Sequence, residues 1–227
     1  MIRMIDAMRT GAGNIPRGTL KVGGYVTGSG DVPWTDKEWG MFPKAGHVAI
    51  NQEPGSGKPF VGNVKDIEDR AGSIADFVAE AKIRWEQRHW NYCAYISASQ
   101  VAELIKACQG AGLVAVELFV ADWALNEQQA TAQLGFHDGN PYEVVAVQWA
   151  SPSSNPQTIV PGGTMTLREA NLDLSVTKDA WFAYQAPAPP APPPPPAALS
   201  ATLRGSVLGQ NLTVPIKSID GGKNWTA

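Results

Sequence analysis

The chain has 227 residues, is 44% hydrophobic and 17% charged, and carries 18 Lys+Arg against 21 Asp+Glu for a formal net charge of −3. That composition excludes a wholly disordered chain, a coiled coil and collagen. No run of Lys and Arg forms the basic stripe that a nucleic-acid groove needs, so nucleic acid is not an expected partner. The prolines are uneven, with eight of the 18 falling within residues 187–196. They divide the chain into residues 1–185, long enough to bury a substantial core, a Pro-rich linker at 186–199, and a tail at 200–227 too short to fold alone. The N-terminus, MIRMIDAMRT, has no apolar h-region, so no secretory signal is expected. The longest apolar stretch, residues 113–125, is interrupted by Glu117 and Asp122 and is too short to insert in a membrane.

Eight apolar or alternating runs bounded by Gly, Pro, Asn or Ser read as strands: 2–6, 20–26, 47–51, 61–68, 92–97, 113–122, 144–149 and 170–176. Helix signals lie between several of them. Thr35 and Glu38 are spaced as a capping box, in which hydroxyl and carboxylate satisfy orphan amides reciprocally. Ser73 opens a second helix with Ile74, Phe77, Val78, Ala81 and Trp85 at helical spacing. The Ser97-Ala-Ser-Gln100 segment opens a third with Gly110 as its stop, and Asn126 opens a fourth ending near Gly135. Strands alternating with helices predict parallel pairing, and eight of them predict a closed (β/α) barrel. About 185 residues is short for that fold, and the connections at 7–19, 52–60 and 150–169 carry no helix pattern. The expected fold class is therefore α/β, a small irregular TIM-like barrel with missing outer helices, followed by the Pro-rich linker and a short β tail. The runner-up is an open doubly wound sheet. Cys93 and Cys108 fall in a strand and a helix and read as small core residues.

In a (β/α) barrel the C-terminal strand ends form the mouth. Acidic residues gather at those positions: Asp6, Glu53, Asp66, Glu68, Asp122 and Asp173. Asp66 and Glu68 are two apart, so strand periodicity puts both on one side. Two carboxylates held close cannot both ionise easily, and one becomes able to act as a general acid. Cleavage of a glycosidic bond needs such a pair. Tyr25, Trp34, Tyr95, Phe119, Trp123 and Trp149 lie near the same ends and offer faces for a sugar ring.

In their collinear order, several short pieces resemble the family 25 glycoside hydrolases, the lysozyme-type muramidases. They are Ile5-Asp6, Val48-Ala-Ile-Asn-Gln-Glu53-Pro-Gly55, Asp66-Ile-Glu68, Phe119-Val-Ala-Asp-Trp123, Gln148-Trp149-Ala-Ser151 and Leu172-Asp173-Leu174. The resemblance spans roughly residues 1–184. It implies Glu68 as proton donor, Asp66 positioning the acetamido group or the intermediate, and Asp6 and Asp173 lining the floor. Tyr25, Glu53, Tyr95, Asp122, Trp123, Gln148 and Trp149 are the candidate sugar contacts. The implied substrate is peptidoglycan glycan, cut beside N-acetylmuramic acid, with no metal and no cofactor. The sequence departs from the family at Ala7-Met8, where x-Ser is usual, and at Asn63 and Lys65 in the fourth strand. Lys65 is expected either to cap the strand edge or to hold the acids ionised.

Other chemistries find little footing. Pro54-Gly-Ser-Gly-Lys58 lacks Walker spacing, and His47, His89 and His137 form no metal-binding pattern. A polyproline spacer over residues 186–197 would reach roughly 35 Å. The tail alternates through Leu203, Val207, Leu212, Val214 and Ile216, and Asp220-Gly221 reads as a hairpin turn. Glycan chemistry joined by a stiff spacer to a dependent β tail suggests a bacteriophage protein, located in the virion tail or at the host cell wall. The partners are then wall glycan at the barrel and other tail proteins at residues 200–227. The alternatives are an inactive receptor-binding tail protein and a free lysin.

Overall fold

The computed structural model describes residues 1–28, 32–53, 62–68, 72–86, 92–113, 116–136, 142–182, 199–207 and 210–218. Residues 1–185 and 186–227 are separate compact units. The linker, the Pro54–Lys58 segment, His89, His137 and the Asp220-Gly221 turn lie outside the described residues.

The first unit is a closed, mixed eight-stranded β-barrel with a few helices. Its strands are β1 (Ile2–Ala7), β2 (Lys21–Gly28), β3 (Gly46–Gln52), β4 (Val64–Asp66), β5 (Cys93–Ser97), β6 (Glu117–Ala121), β8 (Glu143–Ala150) and β9 (Asp173–Thr177). A two-residue β7 (Gly135–Phe136) pairs with the start of β8. Neighbours from β1 through β6 to β8 are parallel, and the β6–β8 pairing, together with β9 between β8 and β1, completes the ring. That closure removes the open doubly wound sheet from consideration.

The uniformly parallel order inferred from alternating strands and helices does not extend to β9, which runs antiparallel to both β1 and β8. A parallel return needs a crossover that carries the chain back along the barrel. Residues 151–172 contain only the four-residue helix α5 (Leu167–Ala170), so the chain re-enters at the end where β8 stopped. Its stop is abrupt, because Asn171 takes the left-handed conformation at φ 55°. The other helices are α1 (Asp36–Trp39), α2 (Ile74–Glu86), α3 (Val101–Gly110) and α4 (Glu127–Ala132). Reciprocal capping boxes start α1, α4 and α5. Ser73 and Asp76 exchange the same kind of bonds at the start of α2. Ser97 caps nothing: a short 3-10 turn, Ala98–Gln100, precedes α3, and Gly112 rather than Gly110 takes the positive φ at its exit.

The strands are buried on both sides, which is why they read as nearly continuous apolar runs. Outward side chains such as Ile67, Ile96, Leu118 and Val147 pack with Phe77 of α2 and Leu104 of α3. Burying Phe77 completely contributes about 2–3 kcal/mol. A second outer cluster sets Ile5, Ala7 and Val22 against Trp34, Phe42 and Leu172. The interior holds Met4, Val48, Ile50, Val64, Phe119 and Ala146, with Cys93 among them. Cys93 and Cys108 are both buried and unpaired.

The strand-start end of the barrel is sealed. Trp181 packs edge-on to Phe119 at 6.0 Å between ring centres, and its Nε1 donates to Glu117 Oε2 at 2.9 Å. Lys21 lies 5.6 Å from the Trp181 ring centre and donates to Thr177 Oγ1 and the Lys178 carbonyl, each at 2.9 Å. Burial lowers the Lys21 ammonium to about 8.

The second unit is an antiparallel hairpin of β10 (Leu199–Val207) and β11 (Gln210–Ser218), described at the level of its backbone.

Candidate functional site at the barrel mouth

The reversal of β9 decides what the mouth contains. Because β9 runs backwards, its first residue, Asp173, lies beside the end of β1, and Asp6 and Asp173 are direct cross-strand partners. Two carboxylates thus face one another across adjacent strands. Room for Asp6 comes from Gly23, its partner on β2. A Cβ at Gly23 would lie 2.5 Å from the Asp6 Cβ, so only glycine fits. Asp6 is 2% exposed, and its Oδ1 has no hydrogen-bond partner among the described residues. A buried, unsatisfied carboxylate oxygen is costly, and such groups call for a functional explanation. Loss of hydration pushes the Asp6 carboxyl above its ordinary range, with Asp66 adding to the rise. Half-buried Asp173 is raised well above that range by lost hydration, and by Asp6 and Glu68 in turn.

Asp66 ends β4, opposite Tyr95 on β5. Its Oδ2 accepts from Gln52 Nε2 at 3.0 Å and its Oδ1 from the Glu68 backbone N–H at 2.9 Å. The second bond is an Asx-type turn that fixes where Glu68 leaves the strand. Burial raises the Asp66 carboxyl to about 6, and the neighbouring Glu68 charge is a smaller cause. The like-charge argument for this pair therefore ranks below desolvation. Glu68 is half-buried, and its Oε1 accepts from the Ser97 hydroxyl at the end of β5. Ser97 therefore holds Glu68 in place of the helix-start role that its sequence pattern predicts.

A polar chain completes the floor. The Tyr95 hydroxyl donates to Gln148 Oε1, and the Gln148 side chain also hydrogen-bonds Asp173. The Tyr95 phenol is pushed well up by burial, then by Glu68, Tyr25, Asp6 and Asp173. Tyr25 and Tyr95 are both nearly buried in the interior cluster. Asp6, Asp66, Glu68, Asp173, Tyr25 and Tyr95 thus interact as one group at the strand ends, with Gln148 joining two of them.

Others stand apart. Trp149 packs against the two clusters outside the barrel wall, because Gln148 takes the inward position on β8. Trp123 is 43% exposed beyond the end of β6. Asp122 Oδ1 accepts from the Ala124 N–H and holds that turn. Glu53 is exposed, and its carbonyl accepts from Lys65. Trp34 lies on the outer side, with its Nε1 donating to the Ala7 carbonyl at 3.0 Å.

Lys65 does not cap a strand edge, because β4 is paired with β3 on one side and β5 on the other. Its ammonium turns outward to Asn51 Oδ1 at 3.2 Å and pairs with Glu80 of α2 at 3.5 Å, both partners being buried. The lysine ties β4 to α2, and its attraction is the smallest cause acting on Asp66. Among the described residues, no group of three or more His, Cys, Asp or Glu is arranged to hold a metal ion.

A cavity of about 560 Å³ lies at the other end, between Ile2, Pro16, Leu20 and Pro161. It offers no carboxylate.

Comparison of the chain with family models, with curated proteins and with solved structures returned no match.

Proposed function

We propose that the barrel mouth binds bacterial cell-wall glycan and cleaves it beside N-acetylmuramic acid. The observation that carries this reading is the convergence of Asp6, Asp66, Glu68 and Asp173 on one floor with Tyr25 and Tyr95. A sugar ring has one apolar face and many hydroxyls, and such a floor offers aromatic surface and acceptors together. In this reading Glu68, the half-buried acid held by Ser97, gives its proton to the glycosidic oxygen as the bond breaks. Asp66, fixed by Gln52 and the Glu68 N–H, meets the acetamido group or the positive charge at the anomeric carbon. Water then completes the new hydroxyl, and its proton returns to Glu68. The barrel is read as an irregular (β/α), TIM-like one whose outer helices are reduced. Residues 186–199 serve as its linker. The whole is read as a bacteriophage virion tail protein acting at the host wall, with the C-terminal tail joined to other tail proteins.

A second reading keeps the glycan and drops turnover. It draws on Asp66, whose two oxygens are both occupied by donors from the protein. Pelleting with purified walls, combined with loss of wall turbidity, separates the two. The enzyme reading expects the wild type and Glu68→Gln both to pellet, with only the wild type clearing the suspension. Equal clearing by both, or none by either, removes Glu68 from the chemistry; failure of both to pellet removes the glycan.

A further inference from the structure

The C-terminal hairpin has one blunted edge and one open edge, and the open one is complementary to itself. Proline has no N–H, so the Thr202↔Pro215 pair must be of the non-hydrogen-bonded type. That settles the alternation along both strands. Residues 199, 201, 203, 205 and 207 exchange bonds with β11, whereas Ser200, Thr202, Arg204 and Ser206 direct their N–H and C=O groups to the other edge of β10. On β11 the outward positions are Asn211, Thr213, Pro215 and Lys217, so a missing donor sits in the middle of that edge. Proline is a common device for blocking strand addition. The β10 edge has no such block, and the described residues give this sheet no third strand.

We propose that the β10 edge joins a second copy of this chain, β10 pairing antiparallel with its counterpart about a two-fold axis at Leu203. Full overlap of a strand spanning Leu199–Val207 can only centre on Leu203. In that register Ser200 faces Ser206 of the second copy, and Thr202 faces Arg204. These are the positions with outward backbone groups, so four hydrogen-bonded pairs form, about eight bonds in all. Leu199 meets Val207, Ala201 meets Gly205, and Leu203 meets itself. Polar positions thus meet polar ones and apolar meet apolar, and Arg204 never opposes Arg204. A two-fold contact requires this kind of self-complementarity. The result is a four-stranded sheet, past the two-strand limit at which isolated hairpins are marginal. Leu199, Ala201, Leu203, Val207, Leu212, Val214 and Ile216 share one face of it in each copy.

Sedimentation velocity on the full chain tests the arrangement. The expected result is a dimer that Arg204→Pro converts to a monomer, since that change removes an outward donor and no bond within the hairpin. Thr213→Pro, the equivalent change on the blunted edge, leaves the dimer intact. Thr202→Arg keeps every backbone donor but sets it against Arg204 of the other copy twice, weakening association about tenfold. The proposal is overturned by a wild-type monomer, including one that associates only with a different protein. It is overturned equally by a dimer that Arg204→Pro leaves whole, or by an unchanged dimer affinity in Thr202→Arg.

Discussion

Asp66→Asn should stabilise the barrel at neutral pH, although it removes an acid with two good hydrogen bonds. Asp66 is 4% exposed, and burial raises its carboxyl from 3.8 to about 6. Between those values the folded chain holds a proton that the unfolded chain has lost. Unfolding free energy therefore falls as pH rises through this window. At about 1.4 kcal/mol per pH unit, the fold gives up about 3 kcal/mol by the time Asp66 is ionised. The asparagine isostere has no charge to desolvate. Its oxygen can keep the Glu68 N–H bond, and its amide can meet Gln52 once that side chain flips, at a cost of about 1 kcal/mol. The net expectation is a gain of about 2 kcal/mol at pH 7.5 that becomes a loss of about 1 kcal/mol below pH 3.8. Urea unfolding followed by tryptophan fluorescence at several pH values measures the difference directly. A variant less stable than wild type by the same amount at every pH would refute the reasoning. It would mark Asp66 as an ordinary structural carboxylate.

Gly23→Ala places a methyl group 2.5 Å from the Asp6 Cβ and should cost about 1–3 kcal/mol in thermal unfolding, with loss of wall pelleting. Lys65→Met takes from buried Glu80 the ammonium at 3.5 Å, with Arg84 still acting on that carboxylate, and should cost about 3 kcal/mol, again by denaturant unfolding. The same variant should retain wall pelleting, since Lys65 serves the outer face. Ser97→Ala removes the hydroxyl bonded to Glu68 and should slow wall clearing about tenfold while changing the unfolding midpoint little.

The eight barrel strands were legible in the sequence because a wall buried on both faces leaves long apolar runs between breaks. The caps at Thr35, Ser73 and Asn126 were legible because a capping box is a local pattern. Strand direction was not. Nothing in residues 170–176 distinguishes a parallel from an antiparallel β9; the distance covered by residues 151–172 decides it, and that is a property of the folded chain. The Asp6–Asp173 contact follows from the reversal, so Asp173 could be chosen as an acid near a strand end without its partner being known. The inward or outward sense of a side chain was equally hidden where β8 has a register shift between Gln148 and Ala150. That irregularity accompanies Gln148 on the floor and Trp149 on the outer wall. Ser97 carried a helix-start signal and an apt position beside Glu68, and only the fold shows which one it uses.

Calorimetric titration of the full chain with purified, peptide-free wall glycan strands, set beside Ser97→Trp, tests the central claim most directly. Ser97 is half-buried at the end of β5 beside Glu68, so an indole there fills the mouth without entering the core. The account predicts saturable binding at one site for the wild type and no heat for the variant. Absence of binding by the wild type, or equal binding by both proteins, would contradict it.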